Sequence, residues 1–252
     1  MISTSSSTPD KVKPYTIKLI RRDAKDLAGA NACVAVQELL TQDNVDILTG
    51  WYDSPSAIAS APLVNAGKKP AVILNAGAAH IPNLSPYYVR VSFSNWHAGF
   101  SMGEAAAKTL QAKTAVVGYK SARTASCKGW ERQRPGLSPP TTTMPKKEYG
   151  ADAVPDFFAV GGYDGMAAIV HAIHATNGKS DPSEALAALK GWTHDSPRGP
   201  IEIDPVTRDV VMNEYLSEGI MQNGRLHQKV IRTIERVKDP CKELKIDPCR
   251  PH

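Results

Sequence analysis

The chain reads as an α/β protein built on a mostly parallel sheet with helices on both faces. Three observations predict this. Short apolar runs alternate with longer stretches of helical spacing from residue 16 to residue 119. The run VDILT at 45–49 is apolar and stopped by Gly50, as a strand buried on both faces would be. Directly after it, Ser54 and Pro55 read as an N-cap and a first helical residue, because proline lacks an N–H that no intrahelical acceptor would have met there.

The stretch 45–79 organises the rest. It divides into strand, loop, helix, strand and loop as VDILTG, WYDS, PSAIASAPLVNAG, KKPAVIL and NAGAA. The helix start points free N–H groups and the positive end of its dipole out of the sheet's carboxyl edge, where ligands of open α/β sheets bind. The strand at 71–74 runs into Asn75, Ala76, Gly77, Ala78 and Ala79, a loop of small residues beside the first one. Two adjacent loops of backbone donors make a cradle for a carboxylate or phosphate. An ordinary pair of α/β turns with a well-capped helix fits the same local sequence.

Taken in order, residues 1–14 are polar and expected to be disordered, without an apolar core of a signal peptide. A first α/β lobe is expected over 15–119. It comprises a strand at 16–20, a helix at about 27–40, the organising stretch, an extended run at 87–93, a helix at about 96–110 and a strand at 114–119. Arg21, Arg22 and Asp23 read as a solvated strand end. Periodicity then fails: residues 120–146 form an irregular linker rich in Arg, Ser, Thr and Pro, longer than compact domains usually tolerate. Residues 147–238 resume with a helix at 157–175 and a second helix opened by Asp181, Pro182, Ser183 and Glu184 and closed by Gly191. Strand-like runs follow at 201–203, 210–220 and 226–234, with Asn223-Gly224 as a hairpin turn. Residues 239–252 are a tail.

Composition narrows the function classes. Of 252 residues 42% are hydrophobic, enough for a packed core, and 30 basic against 25 acidic residues leave a net charge of +5. That balance lacks the dense basic face a nucleic-acid binder needs. No apolar run reaches the ~20 residues of a spanning helix. Cys33, Cys127, Cys241 and Cys249 show neither a CxxC pair nor zinc spacing, and Cys241 and Cys249 are open to either a bridge or two free thiols.

GWYDSPSAIASAP, PAVILNAGAA and SPYYVRVSFSNWHAG, in that order, resemble the first lobe of the branched-chain amino-acid type of ABC-transporter substrate-binding proteins. DFFAVGGYDGMAAI, DSPRGPIEIDPVTRDVVMNEY and VKDPCKEL resemble that family's second lobe and tail. The resemblance implies a type I periplasmic-binding fold of two α/β lobes with the second lobe incomplete, the linker marking an internal deletion. It also implies a monomeric, cofactor-free protein that captures an amino acid or small organic carboxylate for an ABC permease, periplasmic by resemblance but expected in the cytoplasm if made as given, without a signal peptide. In residue terms, Ser54 meets the ligand carboxylate, and Gly77, Ala78 and Ala79 supply loop contacts, Ala79 standing where relatives carry a hydroxyl. Tyr163 closes from the other side or simply packs in the core. Asp53 either holds a ligand ammonium or weakens a carboxylate, and Trp51 and Tyr52 wall the ligand or fill the core.

Two rivals remain. A decayed relative would bind nothing. A metal-dependent hydrolase would use His171 and His174, three apart on a helix, but no third ligand stands at useful spacing, and Ser54 lies in no GxSxG turn. His80 and His97 are expected near the cleft, as ligand contacts or exposed residues.

Overall fold

The computed structural model describes residues 12–25, 29–114, 157–179, 181–222 and 225–245. Most of the polar N-terminus, the strand expected at 114–119, the linker at 120–146, the Asn223-Gly224 turn and Cys249 lie outside these residues.

The first half holds helix α1 (Gly29–Thr41), strand β1 (Leu48–Gly50), helix α2 (Ser54–Gly67), strand β2 (Ala71–Ile73), a 3-10 turn (Ile81–Asn83), strand β3 (Tyr88–Arg90) and helix α3 (Asn95–Glu104), which runs on through one π turn (Ala105–Thr109). The strands form a parallel sheet in the order β1-β2-β3. Side chains alternate across it, so Ala71 and Ile73 face one way and Val72 the other. The first face packs with Leu48 and Tyr88 against Val36 of α1 and Ala57, Ala61 and Val64 of α2.

The opposite face is covered by the later chain. Helix α4 (Phe157–Ala175) and helix α5 (Pro182–Leu189) bring Ala168, Ile169, Ala172, Ala185 and Leu189 onto Val72, Val89 and Val91. The approach is close: a Cβ at Gly161 would come within 2.5 Å of the Leu74 carbonyl, so glycine lets α4 lie on the end of β2. Helices thus flank the parallel sheet on both sides, as the alternation predicts. The Asp181 carboxylate caps α5 by accepting the N–H groups of Ser183 and Glu184.

A second sheet, antiparallel in the order β4-β5-β6-β7, comprises β4 (Thr193–Ser196), β5 (Gly199–Ile203), β6 (Val210–Gln222) and β7 (Arg225–Val237). Helix α6 (Pro240–Glu243) follows, and its Cys241 is disulfide-bonded to a partner outside the described residues. The two sheets meet through a buried charge cluster. Arg90, with no exposed surface, donates from Nε to Asp209 Oδ1 at 2.6 Å and from Nη2 to Asp209 Oδ2 at 3.0 Å. Lys242 pairs with the same Asp209, and Arg90 Nη2 lies 3.6 Å from Asp239.

The expected strand at 16–20 is not formed. Residues 15–25 have no regular structure, and among the described residues their backbone makes no ladder bond to β1. They run beside the outer edge of β1 and, with Val45 to Gly50, line a groove of about 980 Å³. Arg22 pins the segment through Glu38 at 3.0 Å and Asp43 at 2.5 Å. Apolar alternation makes a strand only where an edge lies close enough to pair.

Burial pushes the Asp209 carboxyl up, but Arg90 and Lys242 outweigh it and hold it below the usual carboxylate range. A depressed folded pKa adds stability above the unfolded value near 4 that is lost as pH falls through the folded one. Asp209→Ala leaves Arg90 buried without its main partner, and a loss of about 3–5 kcal/mol in urea unfolding at neutral pH is expected. The variant should also lose less stability than the parent as pH is lowered from about 4 to 2.

Candidate functional site

The carboxyl ends of β1, β2 and β3 lead into three loops that meet at one edge of the sheet. After β1 the chain turns through Trp51, whose φ of 55° is left-handed and costly for a bulky residue. The turn separates two aromatic neighbours. Trp51 goes inward, edge-on to Tyr88 at 5.7 Å and donating from Nε1 to Ser60 Oγ at 3.3 Å, while Tyr52 stays 57% exposed.

The N-cap of α2 is Asp53, not Ser54 as the sequence suggested. Asp53 has extended backbone geometry, and its Oδ1 accepts the Ser56 N–H at 2.9 Å. Both residues are capable caps. Moving the cap back one position places Ser54 in the first turn and releases its hydroxyl for another bond: Ser54 Oγ accepts the Ala78 N–H at 3.0 Å and so joins the two loops. A hydroxyl that accepts still has its own proton to donate.

The loop 75–79 is held by its carbonyls. Arg90 Nη1 donates to the carbonyls of Ala76 at 3.1 Å and Ala78 at 2.7 Å, and the Asn95 N–H donates to the Gly77 carbonyl at 2.7 Å. The Ala76 N–H is taken by the Trp51 carbonyl at 2.9 Å. With three successive carbonyls turned into the protein, the N–H groups of Gly77 and Ala79 have no acceptor among the described residues, although both residues are buried. Buried N–H groups are rarely left unpaired, so these two together with the Ser54 N–H and hydroxyl form a donor set that fits a carboxylate. Gly77 has no room for a side chain, since a Cβ there would collide with Asn95 Oδ1. Ala79 packs on Trp96 and Cys241 and brings no side-chain donor.

Ser54, Gly77, Ala78, Ala79, Tyr52 and Asp53 therefore share one edge. Tyr163 of α4 stacks on His194 of β4 at 5.6 Å. The proposed metal pair divides: His171 Nε2 lies 3.1 Å from the Ala188 carbonyl with its ring on Trp192, and the His174 ring meets Tyr15. Among the described residues no group of three or more His, Cys, Asp or Glu could hold a metal ion. His97 is not exposed but fully buried, and its Nδ1 accepts the Ser94 N–H at 2.9 Å. Burial lowers its pKa from the ordinary imidazole value against the opposing pull of Asp209 and Asp239.

Two parts of the site escaped the sequence reading. One is Arg90, a charge inside the apolar run YYVRVSF, which by itself signals a buried ion pair. The other is a row of rings beyond Tyr52: Tyr52 meets Phe158 at 6.1 Å, Phe158 meets Phe157 at 3.9 Å, and Phe157 meets Phe93 at 5.9 Å.

Replacing Arg90 by Lys keeps the charge but loses the fork that grips Asp209 and two carbonyls together. Amide hydrogen exchange at Ala76 and Ala78 is expected to quicken at least tenfold in Arg90→Lys, more than at Val72 in the sheet.

Comparison with known proteins agrees with this architecture. Residues 10–131 match the family model described as periplasmic binding protein. The Leu/Ile/Val-binding protein homolog 6 of Brucella abortus (strain 2308) is 25% identical over 330 residues, covering 92% of this chain and 85% of the relative. The solute-binding protein of an ABC transporter from Rhodopseudomonas palustris BisB5, in complex with 3,4-dihydroxy benzoic acid, superposes with a TM-score of 0.69 at 23% identity, over 89% of this chain and 88% of that one. Its counterpart from Rhodopseudomonas palustris HaA2, in complex with p-hydroxybenzoic acid, gives 0.66 at 25% identity, over 88% and 87%. The chain thus has the type I periplasmic-binding fold and is similar to the leucine-binding-protein-like substrate-binding proteins of ABC transporters, with the family match confined to residues 10–131.

Proposed function

We propose that this protein is the non-catalytic solute-binding component of an ABC importer, capturing an amino acid of the branched-chain type or a similar small carboxylate and handing it to a membrane permease. The observation that carries this reading is the donor set at the edge of the parallel sheet: the Ser54 hydroxyl and N–H with the N–H groups of Gly77 and Ala79, which have no acceptor among the described residues, in a loop whose carbonyls Arg90 holds. A carboxylate placed there accepts charge-assisted bonds worth about 1.5–3 kcal/mol each, and it needs no nucleophile, metal or base. The same ligand chemistry is supported by the name of the Brucella relative, a Leu/Ile/Val-binding protein homolog, and by the hydroxybenzoic acids in the two solved neighbours.

Export to the periplasm fits the disulfide at Cys241, since such bonds persist in oxidising compartments. Among the described residues no helix is long and apolar enough to cross a membrane. The protein acts as a monomer with no nucleic-acid partner in this reading. The alignment with the Brucella relative spans 330 positions against the 252 residues of this chain, which supports a shortened stretch inside the chain, as the linker at 120–146 suggests.

A thermal melt with millimolar amino acids and organic carboxylates tests the reading. A ligand at a hundred times its Kd stabilises by about 2.7 kcal/mol, which for a chain of this size raises Tm by roughly 5–10 °C. Ser54→Ala should reduce that shift by at least half, while lowering the unliganded Tm by only a few degrees. A panel that leaves the melt unmoved would refute the binding function.

A further inference from the structure

We infer that the groove beside the outer edge of β1 is a docking site for an extended segment of a partner polypeptide, apolar along its middle and acidic at its ends, which joins the parallel sheet there as one more strand. The groove holds about 980 Å³, and none of Ser54, Gly77 and Ala79 lines it, so the inference stands apart from the solute-binding reading. Its floor is bare backbone. The Leu48 N–H donates to the Pro70 carbonyl and the Leu74 N–H to the Gly50 carbonyl, which turns Leu48 and Gly50 toward β2. Ile47 and Thr49 therefore face outward, and neither their N–H groups nor their carbonyls have a backbone partner among the described residues.

The walls are those of a strand position. Leu39 of α1 lies on one side, and Met166, Ile169 and Ile173, which recur at helical spacing along α4, lie on the other. These helices cover opposite faces of the sheet, so the groove occupies the sheet's own plane, one step beyond β1. Ile47 and Ile173 stay half-buried and Met166 is 37% exposed. An occupant needs apolar side chains on both faces, and about six extended residues match the edge from 45 to 50. A small apolar molecule fills the space and leaves the backbone edge unpaired, whereas an added strand satisfies both.

The segment at 15–25 leaves this site open. The Tyr15 ring lies 5.5 Å from that of His174 on the α4 side, and Arg22 pairs with Glu38 of α1 and with Asp43, so the segment bridges the two helical layers across the mouth. It keeps a whole sheet off the edge while the groove beneath it takes a single chain. Charge selects the ends of that chain. Around the mouth Lys18, Arg21 and Lys179 are exposed and carry no ion pair among the described residues, whereas Asp23, Asp43 and Asp181 are engaged and only Asp46 is not. Acidic ends complement this surface, and a second copy of the chain, with its net charge of +5, matches it poorly.

Fluorescence anisotropy of the full chain with a labelled peptide, Asp-Glu-Val-Thr-Val-Ile-Val-Glu-Asp, tests the inference. Saturable binding is expected, and a peptide with lysine at the acidic positions should bind about tenfold more weakly. Alternate residues of a parallel strand turn their backbone groups to one neighbour, so N-methylation of two alternate central residues in one phase removes two hydrogen bonds and should weaken binding about tenfold, while the other phase should change it less than about threefold. Lys18→Glu with Lys179→Glu, both exposed, should reverse the preference between acidic and lysine-ended peptides and move Tm by no more than about 2 °C. No saturable binding, equal effects of the two methylated phases, or an unchanged preference in the charge-reversed variant would overturn the inference. So would sedimentation of the chain alone as a dimer from which the peptide is excluded, which would assign the edge to a second copy.

Discussion

The interaction on which the structure depends is the grip of Arg90 on Asp209. A guanidinium with no exposed surface must be surrounded by acceptors, and here each side of the fork has a separate task. Nε and Nη2 hold Asp209, fixing the start of β6 in the second sheet against the first, and Nη1 holds the carbonyls of Ala76 and Ala78, fixing the loop. The charge is therefore both the bolt between two sheets and the reason that the loop shows its N–H groups outward. Lys242 adds a second cation to the same carboxylate and draws helix α6 into the cluster.

A buried ion pair is seldom the most stabilising way to fill a core, since hydrophobic groups of equal volume often do as well. The arrangement makes more sense as orientation. A peptide loop of alanines and glycine has few side-chain handles, so the direction of its amides has to be imposed from below. A side chain with five donors in one plane can do so, and an aliphatic one cannot.

Much of this could be read from the sequence. The doubly buried strands, the helices on both faces and the meeting of Ser54 with Gly77, Ala78 and Ala79 follow from apolar runs, caps and the order of elements, all of which are local signals. What escaped is non-local. Thr16 to Ile20 alternates like a strand, yet a strand exists only with a partner edge, and that depends on where the chain runs. Asp53 and Ser54 are equal as caps by composition, and the choice falls to the one whose carboxylate reaches the Ser56 N–H while the other reaches Ala78. Arg90 was visible as an anomaly in an apolar run, but its partner sits 119 positions away, and nothing in either segment names the other. The aromatic row likewise gathers Tyr52, Phe93, Phe157 and Phe158 from three separate elements.

The segment at 15–25 has a consequence for how copies of the protein meet. A parallel sheet that ends in β1 offers unsatisfied backbone groups to any passing strand, the usual start of edge-to-edge aggregation. Here the edge is screened by a strap that does not itself pair, fastened by Arg22 to Glu38 and Asp43. Because these fastenings sit near the surface, dissolved ions weaken them while leaving the apolar core untouched. What fastens the strap over this edge is therefore ionic, whereas what holds the sheet beneath it is apolar.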